Sequence, residues 1–195
     1  MWGKFNALPI VDGFDEPLYP LPSPHQEAWY QRGRGTISPM VQETPVTLKL
    51  HELNIPHTLH VHERPLRSLE QAAEERGLRH EQIVRSLLFR LEDHSHILVL
   101  VAGPAKVSWS NLRKYLGVRR LTTADDTEVQ DVTGFVPGAV SPLGLKRPMR
   151  ILADLGLKDQ QVVSIGAGIR NAGIILRTED LLRSIDVEFV DITEA

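Results

Sequence analysis

Between Val132 and Leu145 the chain reads VTGFVPGAVSPLGL, with three glycines (Gly134, Gly138, Gly144) and two prolines (Pro137, Pro142) inside eleven residues. Glycine admits positive φ and close backbone approach, whereas proline fixes φ and removes a donor. Such a stretch is neither helix nor paired strand but a shaped loop. Its apolar residues (Phe135, Val136, Ala139, Val140, Leu143) predict that it packs down instead of waving in solvent. A rigid loop with unpaired backbone N–H groups can hold a carbonyl or a phosphate. The plain alternative is a tight connection between two strands.

Other residues with chemical potential are weaker. GAGIRNAG (166–173) has the glycines of a dinucleotide fingerprint, yet it precedes a strand and opens no long helix. As a glycine-rich strand end it could still bring backbone close to a ligand. Ser141 lies in the special loop without a base visible in the sequence. Asp125 with Asp126, and Glu74 with Glu75, are adjacent on predicted helices and do not face one another. His60 and His62 share one face of a predicted strand and His57 the other. No third convergent metal ligand is evident, so no metal is expected and the histidines read as solvated or hydrogen-bonded.

Bulk properties narrow the classes. The 195 residues suit one well-buried domain plus an appendage. With 42% hydrophobic and 24% charged residues the chain is globular in composition. A net charge of −3 gives no overall basic footprint, so nucleic acid would have to bind through a local patch. The absence of cysteine excludes disulfides, thiolate metal sites and cysteine nucleophiles. No apolar run approaches a membrane span and no leader is visible, so a cytoplasmic protein with no membrane partner is expected.

The elements that must position the loop follow in order. Residues 1–44 carry six prolines before residue 40 and no sustained apolar period; they read as an extension whose aromatics (Trp2, Phe5, Phe14, Tyr19, Trp29, Tyr30) pack on the domain or a partner. The domain, 45–195, opens with Val46, Leu48, Leu50, Leu53 and Ile55, a short helix ending before Pro56, although the spacing partly fits a strand. HTLHVHE (57–63) suits an edge strand. Ser68 and Gln71 form a capping box and Gly77 a stop around LEQAAEER. Residues 80–93 pass from a helical turn into a strand, DHSH makes a hairpin, and ILVLVA is a central strand covered on both faces. SWSNLRKYLG (108–117) is a capped helix with Leu112, Tyr115 and Leu116 inward. VRRLTTA is a short strand, and ADDTEVQDVTG a helix leading into the loop. MRILADLGL, QQVVSIGAG, GIILR and DVEFVDI are strands, with a helix from Thr178 between the last two. Interleaved helices and adjacent hairpins predict a mixed α/β sheet that is not doubly wound.

From Thr47 to Thr193 the chain resembles the YbaK/prolyl-tRNA synthetase-associated domain family of aminoacyl-tRNA editing deacylases. The matching blocks stand in family order: Leu50 to His57 as L-x-x-x-x-I-P-x, HERP (62–65), SLEQAAEERGL, IVRSLLF (83–89), ILVLVAGPAKVSWSNLRKYLG (97–117), TEVQDVTGFVPGAVSPLGL (127–145), SIGAG (164–168) and GIILRTEDLL (173–182). The pattern T-G-x-x-x-G-x-V-x-P-x-G is the specific one. The resemblance implies a mixed, barrel-like sheet flanked by helices. It also implies hydrolysis, without a cofactor, of the ester joining a wrong amino acid to the 3′-terminal adenosine of tRNA. In that chemistry water attacks an activated ester, the tRNA hydroxyl assists, and the protein supplies positioning and backbone donors.

Carried over by position, Gly138 and Ala139 of the loop are catalytic and Val140, Ser141, Pro142 and Gly144 bind substrate, with Gly166 and Gly168 on the opposite wall. The family's lysine in V-K-S/T-L is here Arg85, which is catalytic by the same carry-over and keeps the charge on a wider, planar head. Lys106 is expected to bind the tRNA end, and Leu87 with Val101 to set the pocket wall. Mischarged tRNA is the implied partner, with an aminoacyl-tRNA synthetase as a second. The alternative is a non-catalytic binding module that retains the pocket, for which Arg85 is the discriminating residue. A third reading is a hydrolase of another small acyl ester or amide. A bulky side chain at Gly138 is expected to close the pocket without unfolding the protein.

Overall fold

The computed structural model describes residues 43–194. The aromatic extension expected before residue 44 therefore lies outside the described residues, apart from its last two. Helix α1 (Pro45–Glu52) confirms the helical reading of the first apolar run. The Thr44 hydroxyl accepts from the Thr47 N–H at 3.1 Å, and the Thr47 hydroxyl accepts from the Thr44 N–H at 2.8 Å. With Pro45 at a position where no donor is missed, this is a reciprocal cap. In α2 (Leu69–Arg76) the Ser68 hydroxyl accepts from Gln71 N–H at 3.2 Å, but the Gln71 side chain accepts from Arg67 N–H instead of Ser68. Left-handed Gly77 ends α2, as Gly117 ends α3 (Trp109–Leu116) and Gly134 ends α4 (Asp126–Thr133).

Eight strands form two sheets among the described residues. One has the order β4 (Leu121–Thr123), β2 (Val84–Leu91), β3 (His96–Ala102), β5 (Arg150–Asp154), β8 (Val187–Val190). Its β2–β3 and β2–β4 pairs are antiparallel, and β3–β5 and β5–β8 are parallel, which is the mixed α/β arrangement. The other is antiparallel, in the order β1 (Thr58–Val61), β7 (Ala172–Arg177), β6 (Val162–Gly166). A parallel bridge from Ile83 to Ser164 links the two where β2 begins.

Strand β3 is central and covered on both faces. Leu98 and Leu100 point into a cluster with Val140, Leu143, Phe135, Ile165 and Ile174; Ile97, Val99 and Val101 point into a second cluster with Val107, Leu112 and Ile192. Truncating such a completely buried leucine costs about 2–5 kcal/mol. Two details depart from the sequence reading. Strand β5 stops at Asp154, because its carboxylate accepts from Gly156 N–H at 3.0 Å and from Ile192 N–H at 3.3 Å, turning the chain into a 3₁₀ turn (Leu155–Asp159). Tyr115 faces outward, 43% exposed, with its hydroxyl on Glu188 at 2.8 Å, while Leu112 alone of the expected trio is fully buried. Helix α5 (Thr178–Arg183) bridges β7 and β8. No described helix is long and apolar enough to cross a membrane.

Candidate functional site

The loop starts where α4 ends. Gly134, at φ 82°, reverses the chain, and the Thr133 hydroxyl accepts from Phe135 N–H at 3.1 Å while donating to the Val129 carbonyl at 2.6 Å. Lys146 N–H donates to the Thr133 carbonyl at 2.9 Å and closes the base of the loop. Inside, Ala139 N–H donates to the Val136 carbonyl at 3.0 Å and Leu143 N–H to the Ser141 hydroxyl at 3.2 Å. Ala139, Ser141, Pro142 and Leu143 are buried; Gly138 and Gly144 are exposed. Among the described residues the N–H groups of Gly138, Val140 and Ser141 meet no protein acceptor. Buried amides are ordinarily paired, so neighbouring free amides at Val140 and Ser141 form a ready site for an oxygen ligand.

The loop is pressed onto the end of β6. Gly168 N–H donates to the Ala139 carbonyl at 3.0 Å, and a Cβ at Gly166 would fall on the carbonyl oxygens of Ala139 and Val140. Only glycine admits that approach. Gly138, at φ 82°, has nothing within 4 Å of where a Cβ would stand, so the space above it is open. The structure thus brings Gly138, Ala139, Val140, Ser141 and Pro142 together with Gly166 and Gly168. Gly144 packs lower, near the Pro45 carbonyl and the Phe135 ring.

A sequence profile of the aminoacyl-tRNA editing domain matches residues 63–184, which include this loop and its wall. The chain belongs to the aminoacyl-tRNA editing domain family. It is 28% identical over 126 residues to the Multifunctional Ser/Thr-tRNA deacylase ProXp-y of Escherichia coli K12, spanning 63% of this chain and 75% of that one. It is 35% identical over 114 residues to the uncharacterized protein YwhH of Bacillus subtilis, covering 58% of this chain and 72% of that one. The proline--tRNA ligase of Limosilactobacillus fermentum is 31% identical over 104 residues, 51% of this chain but only 18% of the ligase. A solved structure of a candidate trans-editing enzyme for prolyl tRNA synthetase superposes with a TM-score of 0.71 at 25% identity, covering 82% of this chain and all (100%) of that one.

In this editing domain the remaining expected residues stand on β2, on β3 and on the segment after it. Arg85 pairs in register with Val101, and Leu87 with Val99. Directly paired residues share a face. That face of β3 packs on Leu112 of α3. At the start of β2, the parallel Ile83–Ser164 bridge runs the strand alongside β6, so Arg85 and Gly166 each stand two residues beyond the bridged pair. Arg85 is spent on its own chain, donating from Nε to the Gly103 carbonyl at 2.9 Å and from Nη2 to the Ala105 carbonyl, and burial lowers its pKa. Lys106 is exposed on the following segment and forms no ion pair among the described residues. Ser141 is completely buried and meets no base. Two features were missed. Ser86, next to Arg85, turns to the face it shares with Leu100, with a buried hydroxyl that lacks a partner. The S/T of the V-K-S/T-L pattern was its signal.

The second is a polar network over the three-stranded sheet. His60, Gly173 and Gly166 are cross-strand neighbours in one row. The Arg76 guanidinium lies where a Cβ of Gly173 would be. Its Nε donates to His62 Nε2 at 3.1 Å and its Nη1 to the Ser164 hydroxyl at 2.9 Å, while His62 Nδ1 donates to Glu75. Burial pulls the Arg76 pKa down to about 10, which leaves it cationic at neutral pH, and Glu75 opposes that shift. Glu75 is thus the third ligand that the histidine spacing lacked: one ligand atom from each of His60, His62 and Glu75 lies within 4.8 Å of the others. A cation on His62 Nδ1 would leave Nε2 protonated against the Arg76 Nε–H, so this arrangement works against a metal there. Sequence spacing could not reveal the network, since it joins β1, α2 and β6.

Proposed function

We propose that this protein is a trans-editing deacylase that hydrolyses the ester of mischarged aminoacyl-tRNA at the loop 138–142 where it packs on Gly166. The observation that carries the reading is the pair of unpartnered amides at Val140 and Ser141, in a loop pinned by Gly166 and Gly168. They suit the ester carbonyl oxygen and the negative charge it gains. Water adds to the carbonyl carbon, the bond to the ribose oxygen breaks, and the water proton ends on that oxygen. The neighbouring ribose hydroxyl of the substrate assists the transfer, so the protein's task is orientation. The partners in this reading are the charged tRNA and, for delivery, an aminoacyl-tRNA synthetase.

The test is deacylation of tRNAs carrying alanyl, seryl, threonyl or cysteinyl esters by the wild type, Arg85→Ala and Arg85→Lys. Turnover by wild type is expected, with Arg85→Ala reduced through loosening of the 103–105 turn. Absence of turnover on every ester would overturn the reading. One observation favours a second reading, a non-catalytic module holding the tRNA end or a synthetase: Arg85 donates to its own backbone. Activity that appears only in Arg85→Lys would establish that module.

A further inference from the structure

Arg76 is a cation without a direct carboxylate partner among the described residues. Its two engaged nitrogens meet the neutral acceptors His62 Nε2 and Ser164 Oγ, and Glu75 is reached only through His62. The Nη2 group meets no protein acceptor among the described residues. His62 and Ser164 hold the guanidinium over Gly173, the glycine paired with Gly166, on which the Ala139 and Val140 carbonyls rest. Paired strands lie about 4.8 Å apart. Gly173, under the cation, therefore lies one strand from Gly166, under the loop carbonyls, and both face the same side of the sheet.

An aminoacyl ester carries a cationic amino group, which the half-buried Arg76 guanidinium repels. The anionic group nearest the ester in the same molecule is the phosphate on the 5′ side of the terminal adenosine. A planar guanidinium with an unspent edge suits phosphate oxygens. We infer that Arg76 is a substrate-binding residue that holds the terminal phosphate of the acceptor end through Nη2, while His62, Glu75 and Ser164 are positioning residues that fix its plane. The inference rests on the deacylase reading. It also gives a local anion site to a chain whose net charge is −3.

The probes are 3′-O-aminoacyl-adenosine and its 5′-monophosphate, each carrying alanyl, seryl, threonyl or cysteinyl groups, with hydrolysis followed by release of the amino acid. Wild type is expected to prefer the monophosphate by roughly ten- to hundredfold in kcat/KM, mostly through KM, as a charge-assisted contact warrants. Arg76→Gln should lose that preference and Arg76→Lys should keep part of it. Equal handling of the two probes by wild type overturns the inference alone and leaves the deacylase reading standing. Arg76→Gln that lowers kcat on both probes but keeps the preference places the cation at the ester and overturns it too. No hydrolysis of either probe, or of charged tRNA, by wild type overturns both readings. The wild-type comparison does not depend on the folding of any variant.

Discussion

At the scale of residues, the site divides into positions where space is decisive and positions where hydrogen bonding is. Gly166 belongs to the first group. A methyl there meets the Ala139 and Val140 carbonyls, which cannot give way without moving the loop. Gly166→Ala is expected to cost about 1–3 kcal/mol in thermal unfolding and to abolish deacylation. Gly138 differs. Its Cβ would enter open space, so only the φ of 82° opposes a side chain, at about 1–2 kcal/mol for alanine and more for β-branched valine. The expectation that valine at Gly138 leaves folding untouched therefore needs that strain added. Ser86 belongs to the second group. Removing an unpartnered buried hydroxyl relieves its desolvation, so Ser86→Ala should melt no lower than wild type. If that hydroxyl contacts substrate, the same variant loses deacylation; unchanged kcat and KM would assign Ser86 to packing alone.

At the scale of elements, local signals were legible where the chain closes its own hydrogen bonds. The caps at Ser68, Ser108 and Asp125 and the left-handed stops at Gly77, Gly117 and Gly134 all lie within a few residues of the helices they bound. What the sequence concealed depends on distant partners. Asp154 ends β5 by binding Ile192 N–H, 38 residues away. Tyr115 turns outward because Glu188 and Arg150 wait on β8 and β5. Arg76 draws meaning only from His62 and Ser164. Arg85 was placed by motif, whereas strand alternation and register set the face it shares with Val101.

The clamp at Glu188 supplies a pH test. Arg150 donates to it at 2.6 and 2.7 Å, and with Tyr115 holds its pKa near about 2 against an ordinary 4.5. A depressed carboxylate stabilises the fold above the unfolded value and stops doing so as pH falls through the folded one. The contribution should thus fade between pH 4.5 and 2. The pair is exposed, so its worth is below about 1 kcal/mol. Glu188→Gln should flatten this part of the acid unfolding curve; an unchanged curve would mean the clamp carries no stability.

At the scale of the whole molecule, two sheets joined at the Ile83–Ser164 bridge hold the loop against β6, and the described residues supply the apolar clusters on both faces of β3. We propose that residues 45–195 form the editing domain by themselves. A chain beginning at residue 41, which retains the Thr44 cap, should melt cooperatively and keep full activity. Loss of cooperative melting would show that the preceding residues belong to the core. The central claim is that backbone amides receive the ester. It is tested most directly by recording amide NMR shifts of wild type while adding 3′-aminoacylamino-adenosine, a stable amide analogue of the substrate end. The account predicts that the Val140 and Ser141 amides move most, in the direction of a new hydrogen bond. Saturable binding that leaves both amides unmoved would contradict it.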